Sequence, residues 1–168
     1  MREIKKDIFE WIEENRKDNV VFLLHCISAD WALGAGIAKA IDEKFDERER
    51  LNRTFLWNGS RPDWTGHGSS LTTPILTVEE VSPHLHICNL VTKEHYWDKP
   101  TYTTLYEALE HSRTILETAI PYAKRDGLGF KVVMPKIGCG LDKLDWRRVR
   151  EMITQWAGLD LDVTVCYL

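Results

Sequence analysis

The chain has 168 residues and a formal net charge of −4, enough length to bury a core without metal or disulfide staples. That charge argues against a general nucleic-acid coat protein, which needs a clustered excess of Lys and Arg to displace counterions from phosphates. The four cysteines, Cys26, Cys88, Cys139 and Cys166, are scattered rather than spaced as a framework, so a reducing compartment fits them.

Met1 to Asp7 carries no apolar targeting core, and no stretch has the length of a membrane span, so the expectation is a soluble, cytoplasmic protein folded as one domain over 1–168. Residues 2–6 read as a short strand. Asp7 then opens a helix to about Lys17: Asp7 and Glu10 have capping-box spacing, and Ile8, Trp11 and Ile12 form an apolar stripe. Asn19 to Cys26 is apolar on both faces, as in a central strand covered by helices. Helices are expected over Gly34–Phe45 and Asp46–Trp57. The turn-rich stretch from Trp57 to Pro74 has no period and reads as a long loop or flap.

Strands follow at Ile75–Glu79 and His84–Val91, then a helix from about Pro100 to Lys124, with Pro100 suited to its first turn. Gly129–Met134 is a strand, Asp145–Trp156 a helix with Asp145 as N-cap, and Leu161–Tyr167 a closing strand. Strands alternating with helices, some strands back to back, imply an α/β fold: a three-layer α/β/α sandwich with a mixed central sheet. Ligands of such sheets sit beyond the strand ends.

Two glycine loops fall there. Gly34-Ala35-Gly36-Ile37-Ala38 and Lys136-Ile137-Gly138-Cys139-Gly140-Leu141-Asp142 each follow an apolar strand and precede a helical segment. Backbone N–H groups of such turns, with the positive end of a helix dipole, suit an anion. A single GxG also occurs in turns that bind nothing; the recurrence in matching contexts suggests a cradle for a diphosphate. Ser28 and Asp30 precede the first loop and can reach ligand hydroxyls, or simply shape the helix entry.

Lys93 leaves the end of a buried strand, ahead of His95, Tyr96 and Trp97. It is a solvated surface lysine or a nucleophile, and an amine attacks only when neutral. Desolvation favours loss of its proton and a nearby carboxylate such as Asp142 opposes it. Asp142 is either a turn-former or a group facing what lies beyond the phosphates. His84, His86 and Cys88 alternate along one strand, but same-face neighbours stand about 6–7 Å apart, so one zinc rarely takes all three; no metal and no cofactor is expected. Cys139 has no His near it in sequence to make it a nucleophile. Trp57, Trp64, Tyr96 and Trp97 are packing residues or walls for a base or ribose.

Taken together, His25-Cys26-Ile27-Ser28-Ala29-Asp30 running into Gly34–Ala38, then Thr92-Lys93, Lys99-Pro100-Thr101-Tyr102 and Pro135–Asp142 resemble the macrodomain family. Within it they are similar to the terminal ADP-ribose protein glycohydrolase branch, with Ile137–Asp142 and Thr92-Lys93 the most specific parts. The resemblance implies a macrodomain fold that binds ADP-ribose with its diphosphate between the two loops. It implies hydrolysis of ADP-ribose from acidic side chains, with O-acetyl-ADP-ribose or ADP-ribosylated DNA as further substrates of some relatives; from the charge, no stable nucleic-acid partner is expected.

The same resemblance implies that Lys93 attacks the anomeric carbon of the distal ribose and Asp142 is the general acid/base. Ser28 and Lys136 to Leu141 match ligand-binding positions. Asp7-Ile8 matches the pair that receives adenine, although the family's usual preceding glycine is Lys6 here. A module that binds ADP-ribose without turning it over, and an ADP-ribose 1″-phosphate phosphatase, share the fold and stay open on sequence. The Lys93–Asp142 pair separates the first of these from a hydrolase, since a binding module has no use for a nucleophile.

Overall fold

The structure, a computed structural model, describes residues 1–55, 76–156, 159 and 161–168. The expected 57–74 loop, with Trp57 and Trp64, lies outside the described residues. Strands are β1 (Arg2–Lys5), β2 (Asn19–Ser28), β3 (Leu76–Ser82), β4 (Leu85–Lys93), β5 (Gly129–Met134) and β6 (Asp162–Tyr167). Helices are α1 (Ile8–Asn15), α2 (Gly36–Phe45), α3 (Glu47–Phe55), α4 (Tyr102–Arg125) and α5 (Trp146–Thr154). The six-stranded sheet runs β1-β6-β5-β2-β4-β3. All neighbours are parallel except β3, which pairs antiparallel with β4. β2 is interior, as its apolar run requires: both faces are covered, so neither can be polar.

Alternation along the strands sorts the core into two layers. Phe22 and Leu24 of β2, with Cys88, Leu90, Val132 and Met134, meet Leu105, Leu109 and Leu116 of α4 and Val149 and Ile153 of α5. Val21 and Leu23 face the other way, onto Trp11 and Ile12 of α1 and Ile41 and Phe45 of α2. The sandwich follows from this two-sided burial, each fully buried aliphatic side chain contributing about 1.5–3 kcal/mol. A smaller cluster of Ile27, Trp31, Leu33, Leu51 and Val91 packs beneath the loop after β2.

Local signals held in most places. Asp7 caps α1, its Oδ1 accepting from the Phe9 and Glu10 amides at 2.9 and 3.1 Å. Asp145 caps α5 in the same way, through the Arg147 amide. The reading of Pro100 needs correction: it lies outside the first turn, because Thr101 is the N-cap and forms a reciprocal box with Thr104. The hydroxyl at Thr101 can accept from an amide where proline offers only a ring. Gly34 and Ala35 lie outside α2, which begins at Gly36 in the left-handed region at φ +56°. His84 is not on β4; it sits in the preceding turn, with Nδ1 2.8 Å from the Arg16 carbonyl.

Candidate functional site

Three adjacent parallel strands, β5, β2 and β4, send their C-terminal ends to one edge of the sheet. The first glycine loop follows β2, the second follows β5, and Lys93 is the last residue of β4. Between them is a cavity of about 680 Å³. Its wall includes Ser28, Gly34, Ala35, Gly36, Ile37, Lys93, Lys136, Ile137, Gly138, Gly140, Leu141 and Asp142. Cys26, Ile27, Ala32, Leu33, Ala38, Tyr96, Lys99 and Pro135 complete it.

The first loop is built to leave amides open. Ala35 is the N-cap of α2 and offers no side-chain acceptor, and the first amides of a helix have no partner within it. From Gly34 to Ala38 no amide meets an acceptor among the described residues. Just upstream, Trp31 and Leu33 are held at φ +52° and +42°, a conformation bulky residues avoid unless their surroundings impose it. Here burial does so: both side chains are in the small cluster under the loop.

In the second loop Gly138 has φ +71°, and a Cβ there would stand 2.9 Å from Leu144 Cδ1. Turn bonds from Ile137, Cys139, Lys143 and Leu144 close this segment. The amides of Gly138, Gly140, Leu141 and Asp142 have no acceptor among the described residues. One expectation is corrected here. This loop does not run into a helix N-terminus: α5 starts only at Trp146, and Asp145 already fills its cap. Anion binding at this loop thus has loop amides to rely on, without a helix dipole. The two loops meet where a Cβ on Gly36 would lie 3.6 Å from Leu141 Cδ1.

In the cavity wall Lys93 Nζ stands 2.6 Å from Asp142 Oδ1, with the two side chains only 13% and 14% exposed. Ser28 Oγ donates to Asp30 Oδ1 at 2.6 Å, so toward a ligand that hydroxyl can only accept. Cys26 lies close by; burial, helped by the Asp142 carboxylate, pushes its thiol up to about 12, and it stays protonated. Burial likewise raises Cys139 to about 11. Its Sγ donates to the Ile137 carbonyl and does not line the cavity, so the loop position gives it contacts other than a ligand's.

Not every expected residue converges. Asp7 and Ile8 are absent from the cavity wall among the described residues: Asp7 caps α1 through Oδ1, and Ile8 is buried against the sheet. Asp30 is also off the wall; its oxygens accept from Ser28 Oγ and from the Ala32 and Tyr96 amides. Lys136 turns its ammonium toward Glu3, at 3.8 Å, and over the Tyr167 ring, at 4.5 Å from its centre. Tyr96 reaches the wall while Trp97 does not.

His84, His86 and Cys88 do not form a ligand set. His86 stacks on Phe22 at 4.7 Å, and Cys88 is fully buried, with burial driving its thiol upward. Glu94, His95 and Asp98, which sequence spacing had not suggested, bring one ligand atom each within 4.8 Å of one another. The Asp98 Oδ2 oxygen there already accepts from the His95 amide. Lys99 was missed as a wall residue: its Nζ reaches the Leu141 carbonyl at 2.8 Å, a contact between segments that local sequence does not encode.

No protein-family model matches the chain. It is 31% identical over 144 residues to the human protein ADP-ribose glycohydrolase OARD1, covering 85% of this chain and 79% of that one. Its fold matches the macrodomain of Thermus aquaticus DarG, with a TM-score of 0.64 at 16% identity over 99% of this chain and 97% of that one. Thermosipho africanus DarTG in complex with ADP-ribose matches with a TM-score of 0.53 at 17% identity, over 86% of this chain and 37% of that one. At such identities the two structures speak for the fold, whereas the human relative speaks for descent; the chain belongs to the macrodomain family, in the branch of ADP-ribose glycohydrolase OARD1.

Proposed function

We propose that this protein binds ADP-ribose and hydrolyses it from ester-linked acidic side chains, with Lys93 as nucleophile and Asp142 as general acid/base. The observation that carries the reading is the 2.6 Å contact between an amine and a carboxylate, both largely withdrawn from water, in the wall of a cavity that loops with open amides also line. A module that only binds gains nothing from such a pair. The name of the human relative supports the same activity.

In this reading the two loops take the diphosphate through backbone amides, which brings the distal ribose against Lys93 and supplies orientation rather than chemistry. A proton moves from Lys93 Nζ to Asp142 Oδ1 along the bond between them, leaving a neutral amine. Nζ attacks the anomeric carbon; the Nζ–carbon bond forms, the carbon–oxygen bond to the acyl group breaks, and its electron pair leaves with the carboxylate. Asp142 also serves the second half. Having passed its proton to the departing carboxylate, it takes the proton lost by the water that adds to the same carbon; Nζ leaves with the electron pair of its bond to that carbon as a neutral amine, and the proton then returns to it from Asp142. Free ADP-ribose and the amine result, and the atoms balance without a metal in the scheme.

The test is release of ADP-ribose from a glutamate-linked peptide, a serine-linked peptide and ADP-ribosylated DNA, with binding of free ADP-ribose measured in parallel. Cleavage of the glutamate ester is expected, and Lys93→Ala should abolish it while binding persists. Tight binding with no cleavage of any of the three would make the protein a reader of ADP-ribose instead.

A further inference from the structure

Beyond Lys93 the chain leaves the sheet. The Lys93 carbonyl still accepts from the Ala29 amide at 2.9 Å, but residues 94–101 then form a turn before α4, closed by the Asp98 amide on the His95 carbonyl and by the His95 amide on Asp98 Oδ2. Among the described residues nothing in that turn pairs with a strand. Besides the bonds of Thr101 to α4, two bonds reach out from it, one to the segment leading into the first glycine loop and one to the second loop.

Toward the first loop, the Tyr96 amide donates to Asp30 Oδ2 at 2.9 Å. The other oxygen of that carboxylate takes Ser28 Oγ at 2.6 Å and the Ala32 amide at 3.1 Å. Among the described residues this one carboxyl group thus accepts donors from two segments, and where such an acceptor is charged its bonds are stronger than those between neutral partners. Toward the second loop, Lys99 Nζ donates at 2.8 Å to the Leu141 carbonyl, which belongs to the peptide plane leading into Asp142. Carbonyl and N–H point to opposite sides of a trans peptide. Holding the Leu141 carbonyl on Lys99 therefore also fixes the Asp142 N–H, one of the open amides, on the other side.

We infer that Asp30 and Lys99 are positioning residues that fasten the turn after Lys93 to both glycine loops, and so keep the amine and the Asp142 carboxylate aimed at one sugar carbon. The inference rests on the hydrolase reading above for its consequence in turnover, while the fastening itself can be measured without it. Asp30, placed by sequence among the ligand-binding residues, acts through the Tyr96 amide rather than on the ligand. Lys99 acts through a backbone carbonyl although its ammonium lies at the cavity wall.

The test uses Asp30→Asn, which keeps the size of the side chain and removes its charge, and Lys99→Met, which keeps the stem and removes the donor. Each should lower kcat on a glutamate-linked ADP-ribosyl peptide about tenfold, as small misplacements of reacting groups do, and the double variant more. KM and the Kd for free ADP-ribose should stay within about threefold, since most of the open amides of both loops keep their places, and Lys99→Arg should recover most of the rate. Hydrogen exchange of amides 93–98 should quicken in Asp30→Asn, and of 138–144 in Lys99→Met. An unchanged kcat, or a loss confined to KM and Kd as for a phosphate ligand, would overturn the inference. If the wild type proves inactive the hydrolase reading fails, and the exchange data then decide: faster exchange upholds the fastening, unchanged exchange refutes it.

Discussion

Lys93 Nζ donates to Asp142 Oδ1 across 2.6 Å although 49 residues separate them, and β2 with its glycine loop lies between the strands that deliver them. Removing either partner should separate binding from chemistry. Lys93→Ala is expected to lower turnover of a glutamate-linked ADP-ribosyl peptide by a factor of about a thousand or more, the loss of a covalent step, with the Kd for ADP-ribose nearly unchanged by calorimetry. Asp142→Ala should also stop turnover, and in that variant mass spectrometry should find an adduct on Lys93, since the group that resolves it is gone.

The glycines of the second loop should respond differently to the same methyl group. Gly138 has φ +71° and Leu144 and Leu105 against its missing Cβ. Gly138→Ala should therefore cost about 1–2 kcal/mol and lower Tm by several degrees. At Gly140 an added Cβ meets nothing within 4 Å. Gly140→Ala should keep Tm near the wild-type value, with any loss appearing in ADP-ribose affinity. Thermal melts of the two variants side by side check the contrast; equal Tm values would contradict it.

A buried polar chain away from the cavity predicts a pH dependence of stability. Asn89 Nδ2 donates to Glu47 Oε1 at 2.6 Å and to Thr77 Oγ1 at 3.1 Å. Its Oδ1 must then accept from His25, 2.6 Å away, which places the imidazole proton on Nε2. Burial raises Glu47 from 4.5 to about 7 and lowers His25 from 6.5 to about 4. For Glu47 the folded state binds the extra proton, so its contribution is present at low pH and falls as pH rises from about 4.5 to 7. For His25 the unfolded state binds it, so stability rises from about pH 4 to 6.5. Each amounts to on the order of 3 kcal/mol, with opposite signs over most of the range. Urea titrations of the wild type should be nearly flat between these pH values and decline just above them. Glu47→Gln should uncover the His25 rise and abolish the decline; a Glu47→Gln curve parallel to the wild type would refute the assignment.

Cys139 sits in the second loop but is not poised to react. With its thiol raised to about 11 by burial and donating to the Ile137 carbonyl, the nucleophilic thiolate is scarce at neutral pH. Cys139→Ala should retain turnover within about twofold, and iodoacetamide should label the wild-type residue far more slowly than a free thiol. Rapid labelling accompanied by inactivation would reverse this view.

Much of the architecture was legible because its causes are local. The two-sided apolar run of Asn19–Cys26 could only be an interior strand, and carboxylates at Asp7 and Asp145 mark helix starts through amides two or three residues on. Glycine recurrence after strands marked both loops, since positive φ at Gly36 and Gly138 is a property of the residue itself. Other features had no local cause. That Asp30 holds the Tyr96 amide, that Lys99 holds the Leu141 carbonyl, and that Asp7 serves its own helix while the cavity wall forms elsewhere follow from which strands lie side by side. Sequence by itself determined the residues able to cap, turn and line a core. The parallel order of β5, β2 and β4 decided which of them meet, because side-chain contacts across strand ends depend on register and neighbour, and neither is written in any one segment.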